Sequence, residues 1–244
     1  MDKVLCLIPA KGNSSRLPKK NLLPLGGHPL VGISILKARA TSLFSEIVVS
    51  TDCPDIAKVS SDYGVNVLEF RPENLSKDPA TIYDVVKYEY NKALGQGVDY
   101  SMVFVLLPTS PFVSTQQIKQ AVKNLEMSQH GSLLSVCPTD FPPYNSFVID
   151  EKEECGMTLS PAFPDSIYRY TKSTECPTAY RSNGAILGIK KTTILNFSNY
   201  RDAGLIPFVM SREESVDIDT LFDYQLSLFM LANNDLKLDR EIFK

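Results

Sequence analysis

Four cations crowd one loop near the amino terminus: Lys11, Arg16, Lys19 and Lys20, interleaved with Gly12, Asn13, Ser14 and Ser15. Small residues let backbone amides approach a ligand and cations supply charge, so the chemistry this loop suits is the holding of phosphates. The surroundings sharpen the reading. From Lys3 to Phe44 there is no Asp or Glu, while Lys3, Lys37 and Arg39 add further positive charge, in a chain of formal net charge -3. An ordinary surface loop mixes both signs, so the segment reads as a site for a polyanion. It is neither the G-x-x-x-x-G-K-[ST] phosphate loop nor the G-x-G-x-x-G dinucleotide fingerprint. Far along the chain, Asp217 and Asp219 stand at i and i+2. In an extended segment both project to one side and can share one hard cation, and Mg²⁺ takes one or two carboxylates plus phosphate oxygens and waters. Such a pair also serves as a helix cap, and on spacing alone both readings stay open.

Taken together, five ordered motifs resemble one family. A-K-G-N-S-S-R-L-P-K-K-N, residues 10–21, resembles the N-terminal signature of the sugar-nucleotide cytidylyltransferases, specifically the acylneuraminate (CMP-sialic acid synthetase) family. R-P-E-N-L-S-K-D-P-A-T, residues 71–81, resembles its R-P-x-x-L-x-x-D-x-A-[ST] stretch. Pro108-Thr109-Ser110-Pro111 is similar to its Q-P-T-S-P, Tyr180 to Ala185 to its [FY]-R-x-N-G-A, and S-V-D-I-D-T-L-F-D, residues 215–223, to its metal-binding segment. The resemblance runs from Ile8 to the last helix and is weakest between Cys137 and Arg181.

That resemblance implies roles. Arg16, Lys20, Asp217 and Asp219 would be catalytic, with Asp217 and Asp219 holding Mg²⁺ as cofactor. Ala10, Lys11, Asn21, Arg71 and Thr81 would bind the nucleotide, Asn21 at the ribose and Arg71 with Thr81 at cytosine, whose acceptor edge suits a planar guanidinium. Thr109, Ser110, Arg181 and Asn183 would bind the sugar, Arg181 through its carboxylate. The implied reaction joins CTP to a 2-keto-3-deoxy sugar acid, giving the CMP-sugar and pyrophosphate. Three positions depart from the family pattern. Ser15 stands where Lys is usual, so Arg16 is expected to replace that charge. Leu107 stands where Gln contacts the sugar, and Asn145 sits near a sugar-binding Lys of some members. A related nonulosonate, such as a legionaminate or pseudaminate type, or another 2-keto-3-deoxy acid, is therefore expected to fit as acceptor at least as well as N-acetylneuraminate. A GT-A-type glycosyltransferase and a catalytically inactive nucleotide-binding regulatory subunit are the alternatives.

The elements that must position these residues follow from periodicity. Val4 to Ile8, Ile47 to Ser50, Val65 to Phe70, Met102 to Leu107 and Ser132 to Val136 read as strands. Pro29 opens a helix with Leu30, Ile33, Leu36 and Ala40 inward, and Pro54 another with Ile56, Val59 and Tyr63, stopped by Gly64. Asp78 with Pro79 predicts a helix start, with Ile82, Val85, Val86 and Ala93 toward the core, and Ser114 with Gln117 a capping box ahead of Ile118, Ala121, Val122 and Leu125. Later strands are expected at Ala185 to Ile189 and Phe208 to Met210, and a last helix at Leu221 to Ala232. Strict alternation predicts an α/β, Rossmann-like fold with a mostly parallel central sheet. The rhythm breaks at about 138–181, a Pro-, Tyr- and Ser-rich stretch that the resemblance makes an extended dimerisation arm of a single 1–244 domain, capping the partner's sugar pocket in a homodimer.

With 244 residues, 43% hydrophobic and 22% charged, the chain can bury a sizeable core. Its acidity argues against nucleic acid as partner. Only seven mostly apolar residues separate Lys3 from Lys11, too few for a signal peptide, and no apolar run suits a membrane span. Five cysteines, Cys6, Cys53, Cys137, Cys155 and Cys176, contain no C-x-x-C, and beside His28 and His130 they suggest no zinc site. A reduced, cytoplasmic protein is expected.

Overall fold

The first strand, β1 (Val4–Pro9), is buried along its whole length because its alternate side chains enter two different cores. Val4, Cys6 and Ile8 point into one, Leu5 and Leu7 into the other. A strand covered on both faces reads as a continuous apolar run rather than an alternating one. In the computed structural model, which describes residues 3–152, 156–168, 171–233, 239 and 242, this strand lies inside a six-stranded sheet. Met1, Asp2 and Cys155 lie outside the described residues.

In chain order the elements are β1, the two-residue strands β2 (Pro24–Leu25) and β3 (His28–Pro29), α1 (Leu30–Thr41), β4 (Glu46–Ser50) and α2 (Pro54–Asp62). Then come α3 (Ile82–Gly95), β5 (Met102–Leu106), α4 (Thr115–Met127), β6 (Ser132–Pro138), β7 (Phe147–Lys152) and β8 (Gly156–Pro161). The series closes with β9 (Tyr180–Lys190), α5 (Lys191–Asn196), β10 (Leu205–Val209) and α6 (Leu221–Ala232). The sheet order is β10-β6-β9-β5-β1-β4. Pairs β1–β4, β1–β5 and β6–β10 are parallel and β5–β9 is antiparallel, with Leu106 opposite Ile186. One core joins Val31 and Ile35 of α1, Ile56 of α2 and Ile118 and Leu125 of α4 to Phe104 of β5. The other joins Val85, Val86 and Tyr90 of α3 and Ile194 of α5 to Val103 and Val105. Helices on both faces of a mostly parallel sheet are the α/β architecture that the alternation predicts.

The chain leaves β1 first to one side, toward β4, and then returns to the other, toward β5. A crevice therefore opens at the carboxyl ends of β1, β4 and β5, where ligands of open α/β sheets bind. Residues 10–20, 51–53 and 107–111 emerge there, and the antiparallel β9 enters from the same edge.

Two compact units divide the chain, Met1–Val136 with Asn183–Lys244, and Cys137–Ser182. The second contains the antiparallel hairpin β7–β8, with Phe147 opposite Pro161. Phe147, Val148, Ile149, Met157 and Leu159 of that hairpin are exposed, as are Phe141, Phe163 and Ile167 beside it. No helix among the described residues is long and apolar enough to cross a membrane.

Several local expectations are corrected. Val65 to Phe70 forms no strand: Leu68 and Phe70 are exposed, and the segment makes no ladder with β4. The helix expected from Asp78 starts later, at Ile82, because Thr81 supplies a complete capping box with Asp84. Ile82 faces outward. In α1 the buried set is broader than the expected stripe, with Ala40 exposed and Leu36 only partly covered, since sheet and α4 both press on this helix. The start of β9 lies five residues before Ala185, and α5 was not foreseen.

Candidate active site

The cationic loop stays tied to the sheet for one residue beyond β1, where the Ala10 amide donates to the Ser50 carbonyl at 2.9 Å. Gly12 follows, and its amide donates to Asp52 Oδ1 at 2.7 Å. A Cβ at Gly12 would stand 2.6 Å from Cys53 Cβ, so only glycine permits this approach. Leu17 is buried with Leu25, Leu30, Ile33, Phe112 and Ile218, a small third core that pins the loop beside residues 216–219. Asn21 is buried and closes the loop by donating Nδ2 to the Lys11 carbonyl at 2.9 Å. Lys19 pairs with Asp55 of α2 at 3.2 Å, while Lys11 and Lys20 line the cleft and Arg16 pairs with Asp219.

Those last two cations converge on one carboxylate. Arg16 Nη2 lies 2.7 Å from Asp219 Oδ2, and Lys20 Nζ lies 2.7 Å from Asp219 Oδ1. Asp219 is not the helix cap: Thr220 caps α6 reciprocally with Asp223, and the Asp219 amide also donates to Asp223. Asp217 is mostly buried, and its Oδ1 has no hydrogen-bond partner. Burial raises the Asp217 carboxyl above the ordinary range; the Thr109 hydroxyl lowers it, Asp219 raises it and Lys20 lowers it. A buried carboxylate oxygen without a partner is able to take a cation, and the donor set of the pair is one that Mg²⁺ accepts. Among the described residues no group of three or more His, Cys, Asp or Glu side chains forms a metal cage. Two carboxylates with substrate oxygens and water is the usual Mg²⁺ pattern.

Lys11, Lys20, Asn21, Arg71, Thr81 and Thr109 line one cleft, with Leu107 and Lys77. A neighbouring opening carries Asn13, Ser15 and Asp52 beside Lys11 and Arg71. Arg71 is buried, its amide bound to the Thr51 carbonyl and its Nε donating to Ser76 Oγ at 3.0 Å. Burial lowers its pKa, against the opposing pull of Asp52 and Glu89. The Thr81 hydroxyl is occupied by the α3 cap, accepting from the Asp84 amide and donating to Asp84 Oδ2, so Thr81 lines the cleft chiefly as a helix terminus. Ser110 is buried with its Oγ unpartnered. Gly184, at φ 73°, takes a left-handed conformation. A Cβ there would stand 3.2 Å from Leu107 Cδ1, 3.7 Å from Asp217 Oδ2 and 3.8 Å from Ser110 Oγ, so these three side chains share one wall.

Asn183, expected at the sugar, is held by its own neighbours in this structure. Its Oδ1 accepts from Ser135 Oγ and the Ala185 amide, and its Nδ2 donates to Ser215 Oγ and Met210 Sδ. Fully engaged and buried, it braces the segment leading to Asp217. Arg181 is exposed and belongs with Asn145 to the Cys137–Ser182 unit. Asp52, which holds the Gly12 amide and lines the neighbouring opening, lay outside the sequence expectations; its place at the carboxyl end of β4 was the available signal.

A family model described as Cytidylyltransferase matches residues 5–153. The chain is 29% identical over 233 residues to the pseudaminic acid cytidylyltransferase of Campylobacter jejuni subsp. jejuni serotype O:2, covering 95% of this chain and 97% of that protein. With the CMP-N,N'-diacetyllegionaminic acid synthase of Legionella pneumophila subsp. pneumophila it shares 33% over 233 residues, at the same coverages. With the N-acylneuraminate cytidylyltransferase of Escherichia coli O18:K1:H7 it shares 30% over 240 residues, covering 97% of this chain and 54% of that protein. Among solved structures, CMP:2-keto-3-deoxy-manno-octonic acid synthetase complexed with CTP superposes with a TM-score of 0.69 at 17% identity, covering 95% of this chain and 99% of that one. This last likeness shows the fold.

Proposed function

The chain belongs to the cytidylyltransferase family, and on that premise we propose that it activates a 2-keto-3-deoxy, sialic-acid-like nonulosonic acid with CTP, giving the CMP-sugar and pyrophosphate. The observation that carries the proposal is the convergence of Arg16, Lys20, Asp217 and Asp219 at the carboxyl ends of β1 and β5. The sugar's anomeric hydroxyl attacks the α-phosphorus of CTP, the bond from that phosphorus to the bridging oxygen breaks, pyrophosphate leaves, and the hydroxyl proton passes to solvent. Lys11, Arg16 and Lys20 hold the triphosphate and offset the charge gathering on the departing pyrophosphate. Asn21 keeps the loop folded, and Arg71 presents its guanidinium to the cytosine edge with Thr81 at the rim. Asp217 and Asp219 would hold Mg²⁺, which supplies Lewis-acid charge on the phosphate. Thr109 and Ser110 meet the acceptor.

Leu107 supports an acceptor with an apolar group at that wall. The named relatives acting on pseudaminic and legionaminic acids favour the same class. A homodimer is supported by two exposed apolar surfaces: the β7–β8 hairpin, and α6, whose Leu221, Phe222, Leu228 and Phe229 are exposed. The four described cysteines are free thiols, which supports the cytoplasm as compartment. Pyrophosphate release from CTP, measured across a panel of nonulosonic and ulosonic acids, tests the proposal. Turnover with one or more nonulosonates is expected. Silence with every acceptor would favour the inactive nucleotide-binding subunit, and turnover requiring a nucleotide-sugar donor would favour the glycosyltransferase.

A further inference from the structure

Lys37 lies in the third turn of α1, 2% exposed, with its ammonium inside the protein. Its Nζ donates to the Pro111 carbonyl. The nearby charge is Asp239, whose carboxylate accepts from the Thr115 amide and hydroxyl at the start of α4. Burial pulls the lysine down to about 7, with Asp239 opposing the fall. A methionine would fill the same space without removing a charge from water, so the ammonium is costly for folding alone. What it holds is the last residue of Pro108-Thr109-Ser110-Pro111. That turn is buried throughout, and one of its other ties leads directly to the acidic pair. The Thr109 carbonyl accepts from the amide of Ile218, between Asp217 and Asp219, at 2.8 Å, and the Ser110 amide donates to the Leu107 carbonyl at 3.1 Å.

We propose that Lys37 is a positioning residue for cytidylyl transfer. It clamps the 108–111 turn from the α1 side through the Pro111 carbonyl, and so fixes where Thr109, Ser110 and, through Ile218, the Asp217 carboxylate stand in the cleft. The proposal rests on the cytidylyltransferase reading of that cleft. A misplacement of about 1 Å at such groups is enough to lower the rate by orders of magnitude.

The test is Lys37→Met, which removes the donor and keeps the length. The variant should melt no lower than the parent and bind CTP, titrated without acceptor, within about twofold of the parent. Its kcat/KM for the acceptor should fall about tenfold or more. Amide exchange should quicken in segments 108–113 and 216–219 and stay unchanged in α2. Parental acceptor kinetics with parental exchange would overturn the proposal, and so would a lower melting temperature with normal kinetics in the folded fraction. If the methionine variant does not fold, the same measurements go to Lys37→Gln, whose amide falls short of Pro111; failure of both to fold would make Lys37 a core residue only. A parent that releases no pyrophosphate with any acceptor would defeat the functional reading instead, while exchange in the two segments would still report on the clamp.

Discussion

One carboxylate of Asp219 holds both Arg16 and Lys20, and this geometry decides what its loss should do. Asp219→Asn should abolish turnover, because two carboxylates sharing a cation cannot lose one without displacing it from the phosphates. Binding of CTP without metal should survive, since the cations remain; calorimetric titration beside a pyrophosphate assay reads both, and parental turnover would remove the pair from the chemistry. Arg16 carries the loop's second test. Arg16→Ala should lower kcat roughly a hundredfold, the scale for losing one preorganised donor, while Ser15→Lys, at an exposed position, should be tolerated. A silent Arg16→Ala would leave Lys11 and Lys20 sufficient. That Arg16, Lys20 and the acidic pair form a candidate site was legible because the signals are local: cation density with no acid nearby, and a D-x-D spacing. Asn183 was not, because whether an amide faces a ligand or its own neighbours depends on residues far away in sequence, here Ser135, Met210 and Ser215.

At the scale of elements, α1 carries the clearest physical conflict, a lysine in a helix pressed against the sheet. Its folded pKa of about 7 lies below the ordinary lysine value of 10.5, so between those pH values the unfolded chain binds more protons at this group and its contribution to stability rises with pH. Lys37→Met should therefore gain most over the parent below pH 7, and that gain should narrow by roughly 3 kcal/mol by pH 9.5. Chemical denaturation of both proteins at several pH values checks this; a gap constant with pH would mean that the ammonium is hydrated. Central strands and capped helices were readable from period and caps, as at β1 and at the Ser114–Gln117 box of α4. Val65 to Phe70 misled because its apolar residues pack or stay exposed without a ladder, and strand pairing is not a local property. The Asp78-Pro79 signal lost to a stronger cap three residues on, at Thr81.

For the whole molecule, the Cys137–Ser182 unit and α6 expose more apolar surface than solvent favours, and a second copy of the chain is the occupant proposed for both. Replacing residues 138–181 by a short linker should give a monomer in sedimentation that binds CTP but does not transfer to sugar. A shortened chain that stays dimeric would assign assembly to other surfaces. The central claim is that this chain moves the cytidylyl group, and isotope placement tests it most directly. CTP labelled at the α-phosphorus or at the γ-phosphorus is incubated with Mg²⁺ and a nonulosonic acid, and the products are separated. The account predicts α-label in a CMP-sugar and γ-label in pyrophosphate. Label from the γ-position in the sugar or in orthophosphate, or α-label remaining in nucleotide alone, would contradict it.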